Sequence, residues 1–116
     1  MYTIEDIKSN RFVNLLTPEE EKKLIEKIRF SKDNKLINKF IKLHRFLVAS
    51  IVVYYPTKKI LFSQLMQAGN KGLRKALDNY KITSKFRFSV YAVWFIRAEL
   101  HKLLGLPEYP EKLLKK

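Results

Sequence analysis

The chain has 116 residues, and its 24 Lys and Arg against 11 Asp and Glu give a formal net charge of +13. This length predicts one compact domain, and the hydrophobic content of 47% excludes general disorder. The lack of cysteine, of a signal peptide and of any apolar run near the roughly 20 residues of a spanning helix predicts a cytoplasmic protein without disulfides or membrane segments. Its charge fits a nucleic acid, an acidic protein or an anionic surface as partner, unless it serves solubility alone.

Apolar residues recur at helical spacing, and the first predicted helix has a well-defined start. Thr17, Pro18 and Glu20 match a capping box with proline in the first turn. We predict a helix from Pro18 to Phe30. Its buried face is expected to consist of Leu24, Ile25 and Ile28.

Two further helices follow in the middle of the chain. Asp33 is predicted to cap a long helix that carries a wide apolar stripe and ends at Pro56. Ser63 is predicted to cap a third helix, which contains Gly69 and Gly72. An interior glycine costs a helix about 1 kcal/mol relative to alanine. The pair therefore indicates either close approach by another backbone or two tolerated weak positions.

A fourth helix is predicted from Val90 to Leu104, with Ser89 as its cap and Gly105 at its end. The expected fold class is all-α, a compact bundle of about four helices with short loops. We expect residues 1–104 to form this domain, with room for flexibility in residues 1–15. Residues 105–116 are expected to form a basic linker or docking tail.

The segment from Lys85 to Lys102 combines aromatic and basic side chains. Tyr91, Trp94 and Phe95 lie on adjoining turns of the fourth predicted helix. Bases that leave a duplex need flat partners, since stacking one base on an aromatic ring contributes about 1 to 3 kcal/mol while cations hold the phosphates. The segment fits that task, although composition alone favours ordinary core packing of the aromatic residues.

Two blocks of sequence, LMQAGNKGLRKALDNY at residues 65–80 and FRFSVYAVWFIR at residues 86–97, carry a more specific pattern. They resemble the second conserved region of the sigma-seventy family of bacterial RNA polymerase initiation factors. That family has a Gln-x-Gly-Asn-x-Gly-Leu helix followed by a Phe-x-Phe-Ser-x-Tyr-Ala-x-Trp helix. The upstream segments LTPEEEKKLIEKIR and RFLVASIVVYY are similar to the family's preceding helices, so the resemblance runs from Leu16 to Leu104.

The resemblance implies that the third helix binds the coiled-coil clamp of the largest subunit of core RNA polymerase. Gln64 and Ala68 stand where the family has Asp and Glu. Two carboxylates that would meet clamp arginines are therefore missing, and each lost charged contact would cost about 1.5 to 3 kcal/mol if it is desolvated. The residues implied in the polymerase contact are Leu65, Met66, Gln67, Asn70 and Leu73.

The resemblance also implies that the fourth helix opens the minus-ten promoter element by flipping a non-template adenine and stacking an aromatic ring on it. Phe95 replaces the second residue of a Trp pair and is expected to remain a flat wedge. Ala98 and His101 stand at base-reading positions, so sequence preference there should be relaxed or altered, and His101 is equally well an ordinary surface residue. The residues implied in DNA binding and melting are Lys85, Phe86, Arg87, Phe88, Tyr91, Trp94, Phe95, Arg97, His101 and Lys102.

No catalytic constellation, metal-ligand cluster or cofactor motif is recognisable, so we expect a protein that is not an enzyme and needs no cofactor. The family's third region and its domain that reads the minus-thirty-five element have no counterpart here, which fits a minimal factor, half of a split factor or a fragment. Our first hypothesis is an initiation subunit that binds polymerase and the non-template strand, with a second subunit for upstream contacts. The alternatives are a clamp-binding regulator that does not start transcription and a sequence-indifferent single-strand binder.

Overall fold

The computed structural model describes residues 16–55 and 60–107. Within these ranges the chain forms five α-helices and no strand, so the predicted all-α class is confirmed. The helices are α1 (Pro18–Ser31), α2 (Asn34–Leu43), α3 (Arg45–Val52), α4 (Phe62–Asn79) and α5 (Phe88–Leu104). None of the described helices is both long and apolar enough to cross a bilayer. The expected flexibility of residues 1–15 and most of the predicted tail lie outside the described residues.

Helix α1 begins as predicted, with a complete capping box. The Thr17 hydroxyl accepts a hydrogen bond from the Glu20 amide at 3.1 Å, and the Glu20 carboxylate accepts one from the Thr17 amide at 3.0 Å. These bonds hold the pKa of the exposed Glu20 carboxyl below its ordinary value. The helix ends at Ser31, one residue later than predicted, and Lys32 takes the left-handed conformation that closes it.

The single long helix predicted after Asp33 is wrong, because the chain divides into α2 and α3 at His44. The imidazole Nδ1–H of His44 donates to the Phe40 carbonyl at 2.8 Å. That carbonyl is the acceptor that the His44 amide would use in a continuous helix. The His44 amide bonds instead to Ile41, one residue later, at 3.1 Å. A side chain that competes for a backbone acceptor thus produces a break that no glycine or proline signals.

Two predicted helix caps are also wrong. Helix α4 begins at Phe62, before Ser63, and the Gln64 side chain accepts a hydrogen bond from the Leu61 amide at 3.0 Å. Helix α5 begins at Phe88, before Ser89. Its first amide is satisfied by a residue from a distant part of the chain, as described below. The predicted end of α5 is confirmed, since Gly105 follows Leu104 with a φ of 68°.

The centre of the fold is the antiparallel pair formed by α4 and α5, which has the most extensive helix contact in the described chain. Gly72 allows this contact, because a Cβ atom there would lie 2.7 Å from the Ile96 Cα atom. The predicted close approach is therefore confirmed at Gly72, whereas Gly69 faces the side chain of Val48. The largest fully buried side chains are Ile25, Phe40, Val48, Val52, Leu65, Leu73, Tyr80, Phe88, Phe95, Ile96 and Leu100.

Helix α1 satisfies backbone groups at the end of this pair where the loop joins α4 to α5. The Arg29 guanidinium donates to the Leu77 carbonyl at 3.1 Å and also to the Tyr80 carbonyl. Both carbonyls lie at the C-terminal end of α4. The last carbonyl groups of a helix have no amide partners within that helix. The cation also suits the negative end of the helix dipole. Arg29 thereby ties α1 to the start of the loop that leads into α5.

Candidate nucleic-acid interface

The start of α5 is held by a buried carboxylate from α1. Glu21 is almost completely buried, and its Oε2 atom accepts a hydrogen bond from the Phe88 amide at 3.1 Å. The Arg87 guanidinium lies 3.3 Å from the same oxygen and also donates to the Leu16 carbonyl at 2.7 Å. A carboxylate at a helix N-terminus is favoured both by the unpaired amides and by the helix dipole. The interaction fixes where α5 begins and how the preceding loop leaves it.

The contact with Glu21 bears on the role that we predicted for Arg87. We predicted that Arg87 binds DNA, but its guanidinium is half-buried against Glu21 and the Leu16 carbonyl. These contacts occupy the Nε and Nη2 groups of Arg87. Arg87 therefore helps to hold the start of α5 in place.

Phe88 lies in an aromatic cluster beneath the start of α5. Its ring centroid lies 4.9 Å from that of Phe40, 5.1 Å from that of His44 and 5.4 Å from that of Tyr80. The Tyr80 hydroxyl donates to the Phe86 carbonyl at 2.5 Å, and burial raises the pKa of that hydroxyl. The cluster holds both ends of the loop between α4 and α5. Phe88 is fully buried, so it supports the predicted site from inside the core.

His44 is the basic member of this cluster. Burial lowers the pKa of its imidazole, and the hydrogen bond to the Phe40 carbonyl and the nearby Glu21 carboxylate oppose that change. The positive charge of the Arg87 guanidinium lowers the pKa further. Since a carbonyl can only accept, Nδ1 carries the proton in the neutral form of the ring, which the lowered pKa favours.

Acidification should therefore destabilise the fold through His44. The unfolded imidazole binds a proton near its ordinary pKa of about 6.5, whereas the folded one resists it. Stability is fully present above that pH and is lost as the pH falls towards the lower folded pKa. We expect urea unfolding, followed by far-ultraviolet circular dichroism, to show a smaller loss between pH 7.5 and 5.0 for His44→Gln than for the unaltered chain. An equal loss in both proteins would contradict this assignment.

One row of side chains faces solvent along α5. It consists of the exposed Val90, Trp94 and Arg97 and the half-buried His101, spaced by four, three and four residues, and we call it the α5 stripe. Trp94 has 39% of its surface exposed and Arg97 is exposed one turn further on. The spacing matches one face of a helix. The α5 stripe thus presents an apolar, an aromatic and a basic side chain on a single surface.

Two more aromatic residues lie beside the α5 stripe. Phe86, in the preceding loop, has 67% of its surface exposed. Tyr91 is half-buried, with its ring centroid 5.7 Å from that of Tyr80 and 5.1 Å from that of Phe95, and its hydroxyl donates to the Asn79 carbonyl at 3.4 Å. Burial raises the pKa of the Tyr91 hydroxyl. Tyr91 is therefore held in one orientation from behind while part of its ring remains accessible.

Phe95 does not fit the expectation of an exposed wedge. Its side chain is fully buried, because position 95 lies on the face of α5 that packs against α4 near Gly72. Of the two flat residues that the resemblance places side by side, only Trp94 reaches the surface. Phe95 supports the neighbouring Tyr91 ring and has no surface to offer a base.

The two remaining basic candidates and His101 have different surroundings. Lys85 is exposed in the loop before α5. Lys102 is exposed near the end of α5, with its ammonium 3.7 Å from the buried Glu99 carboxylate. The His101 imidazole donates through Nδ1 to the Pro107 carbonyl at 2.9 Å and accepts from the Tyr55 hydroxyl at 2.9 Å. His101 thus joins the end of α3 to the chain that leaves α5.

The residues predicted to bind polymerase divide between the core and the surface. Leu65 and Leu73 are fully buried and pack against α3 and α5, so they position α4 and do not reach its outer side. Met66 and Asn70 are half-buried at one edge of α4, and Gln67 is exposed. The exposed row of the helix, which we call the α4 face, consists of Gln64, Gln67, Lys71 and Arg74.

Sequence reasoning missed three residues that form or support the candidate interface. Glu21 resembles an ordinary acidic residue in a first helical turn, and no local signal shows that it reaches a helix 67 residues away. Tyr80 closes a sequence block and gave no sign of its burial. Val90, which is 52% exposed, could have been predicted from the sequence, because it lies four residues before Trp94 on the same helical face.

Comparison with known proteins connects this arrangement to one family. No protein-family model matches the chain. It is 37% identical over 93 residues to RNA polymerase sigma factor SigA of Clostridium acetobutylicum, an alignment that covers 80% of this chain and 24% of that protein. It is 35% identical over 93 residues to SigA of Listeria monocytogenes, covering 80% of this chain and 25% of that protein.

A third relative is also an RNA polymerase sigma factor, of a different length. RNA polymerase sigma factor RpoD of Helicobacter pylori is 33% identical over 92 residues, which cover 78% of this chain and 14% of that protein. The chain therefore spans a quarter or less of the length of these curated relatives. Over the aligned segment, which includes most of its residues, the chain belongs to the sigma-seventy family of RNA polymerase sigma factors.

Proposed function

We propose that the chain acts in transcription initiation, binding core RNA polymerase through the outer side of α4 and opening the minus-ten promoter element with α5. The observation that carries this proposal is the exposure of Trp94 on the α5 stripe, between the basic Arg97 and the aromatic loop residue Phe86. Membership of the sigma-seventy family supports the same role.

The exposed aromatic side chains are suited to hold an unpaired base. Trp94, Phe86 and the accessible part of Tyr91 offer flat surfaces, and stacking a base on one such ring contributes about 1 to 3 kcal/mol. Arg97 and Lys85 place positive charge near these rings, where phosphates of the same strand would pass. Stacking together with charge favours a strand whose bases are already unpaired, so binding shifts the duplex towards the open state.

Rigid support beneath these rings makes the binding effective. Phe88 and Phe95 fill the core below the α5 stripe, and the Glu21 carboxylate fixes the first turn of α5. A surface that is ordered before binding loses less conformational entropy when a strand is held on it. We therefore assign Phe88, Phe95 and Arg87 a positioning role and assign base contact to the exposed rings.

The proposal is tested by reconstitution with core polymerase on a promoter that carries 2-aminopurine in the non-template strand of the minus-ten element. Trp94→Ala should reduce the fluorescence rise about 10-fold or more, because a stacking surface is lost, while polymerase binding changes little. Asn70→Ala should instead weaken polymerase binding, measured separately by fluorescence anisotropy of the labelled chain.

Phe30→Ala provides the matched control. Phe30 is an aromatic residue on α1 with 93% of its surface exposed, and it is not part of the α5 stripe. Its removal should leave both strand opening and polymerase binding unchanged. If Phe30→Ala and Trp94→Ala reduced opening equally, base stacking by Trp94 would be refuted. Polymerase binding without any fluorescence rise in the unaltered chain would favour a regulator that occupies polymerase without starting transcription.

A further inference from the structure

The surface around the outer side of α4 is strongly positive. From Asn34 to Val52, helices α2 and α3 contain three lysines and Arg45 but no Asp or Glu. Helix α4 contains one acidic residue, Asp78, which already pairs with Arg74 at 3.6 Å. The melting role proposed for α5 makes no use of this charge. A field of one sign over a protein surface selects partners of the opposite sign.

A cleft beside the α4 face concentrates this charge. It has a volume of about 240 Å³ and lies between α4 and the junction of α2 with α3. Two cations, Lys42 and Arg45, border it together with two amide side chains, Asn38 and Asn70, and Ile41 provides an apolar wall. Lys71 follows Asn70 in the chain, is exposed on the α4 face, and lines the groove on the other edge of the helix. The cleft thus offers hydrogen-bond donors and charge around an apolar patch.

The opposite edge of α4 has a carboxylate, but that carboxylate is already neutralised. Glu99 from α5 is 4% exposed and lies in the groove lined by Gln67 and Ala68. The Lys75 ammonium lies 2.5 Å from its Oε1 atom and the Lys102 ammonium 3.7 Å from its Oε2 atom. Two cations around one buried carboxylate leave this edge positive as well. An incoming basic side chain would therefore be repelled on both sides of α4.

We propose that the α4 face and its cleft bind a helix whose contact side carries Asp and Glu, so that carboxylates meet Lys42, Arg45 and Lys71. The proposal rests on the proposed function, since it specifies the chemistry of the polymerase segment that docks on α4. An arginine-bearing partner would find no carboxylate at positions 64, 67 and 68, because Gln64, Gln67 and Ala68 carry none.

A protein partner fits better than a phosphate backbone. Ile41 and the half-buried Met66 give the docking surface apolar area, and Leu61 and Phe62 at the start of α4 are 68% and 45% exposed. An amphipathic acidic helix has apolar side chains that would cover such residues, which phosphates would leave in water. The asparagine amides in the cleft are suited to side-chain or backbone acceptors of the same helix.

The test uses fluorescence anisotropy of two labelled helical peptides of about 20 residues that share an Ala and Leu frame. One carries Glu, and the other Arg, at positions spaced by three and four along one side. The full chain should bind the Glu peptide about 10-fold more tightly than the Arg peptide at about 0.15 M salt. The double variant Arg45→Glu with Lys71→Glu should reverse that preference.

The variant Lys23→Glu with Lys27→Glu is the matched control. Both lysines are exposed on the outer side of α1, and each pair of substitutions changes the net charge by 2 × (−2) = −4. This control should keep the preference for the Glu peptide, with a loss in affinity of about 3-fold at most from the weaker overall field. If both double variants lost the Glu peptide equally, or if the unaltered chain preferred the Arg peptide, the proposal would be refuted.

Nucleic acid is the competing outcome. If a single-stranded oligonucleotide displaced the Glu peptide from the chain, and Arg45→Glu with Lys71→Glu weakened its binding more than Trp94→Ala, the surface would be a phosphate site and the proposal would fail. The peptide assay contains no polymerase and no promoter. Its failure is therefore separate from a failure of strand opening, which would overturn the proposed function while leaving the chemistry of this surface in place.

Discussion

Gly72→Ala should lower the free energy of unfolding by about 2 to 3 kcal/mol. The new Cβ atom would overlap the Phe95 carbonyl oxygen and lie 2.7 Å from the Ile96 Cα atom, both of which are backbone. Backbone atoms of a packed helix cannot move aside, so α4 and α5 must separate, and the cost is expected at or above about 3 kcal/mol, the upper end of the range typical of overpacking. The gain of about 1 kcal/mol in helix propensity offsets only part of that cost. Urea unfolding followed by far-ultraviolet circular dichroism measures the change.

Gly69→Ala is the control for this prediction. A Cβ atom at Gly69 would meet a methyl group of Val48, and the next nearest atom would be 3.6 Å away on the Ile96 side chain. A side chain can shift where a backbone cannot, so the cost at Gly69 should be smaller by about 1 kcal/mol or more. Equal destabilisation by the two substitutions would mean that the close approach at Gly72 is not what limits the packing of α4 on α5.

Glu21→Ala should destabilise the fold by about 2 to 4 kcal/mol. The substitution leaves the Phe88 amide buried without an acceptor and leaves Arg87 half-buried without its carboxylate. Losing one partner of a fully buried pair costs 3 to 5 kcal/mol, and the 31% exposure of the Arg87 side chain reduces that figure. The same unfolding experiment measures the loss.

Glu26→Ala separates this specific contact from a general effect of charge. Glu26 is an exposed residue of the same helix, and a substitution at such a position usually changes stability by less than about 0.5 kcal/mol. If Glu26→Ala proved as damaging as Glu21→Ala, the cost would come from the helix propensity or net charge of α1. The Glu21 carboxylate would then have no special part in holding α5.

Local signals in the sequence predicted the ends of helices well where those signals act over a few residues. The capping box at Thr17 and the glycine stop after Leu104 were both found, because each depends on neighbours within one turn. The break at His44 was not found, because it depends on which side-chain rotamer competes for the Phe40 carbonyl. The start of α5 was missed for a different reason, since its cap comes from Glu21 in α1.

For the candidate site too, the sequence motif predicts which residues are present, whereas packing decides which of them are exposed. The motif places aromatic residues at positions 86, 88, 91, 94 and 95, but motif order alone does not tell which of them face water. Helical geometry separates Trp94 from Phe95 by about 100°, and packing against α4 turns Phe95 inward. The sequence showed the positive charge only as a net excess of Lys and Arg over the whole chain. Its concentration in one cleft depends on how α2 and α3 fold against Asn70.

The contact between Glu21 and the Phe88 amide also bears on how the protein is made. The two residues are 67 positions apart, so α1 has left the ribosome well before α5 is synthesised. Until then the Glu21 carboxylate and the Arg29 guanidinium lack the groups that they satisfy in the finished fold. The α5 stripe must therefore take its final place late, when the chain is long enough for α1 to dock. A growing chain does not display an ordered strand-holding surface before that stage.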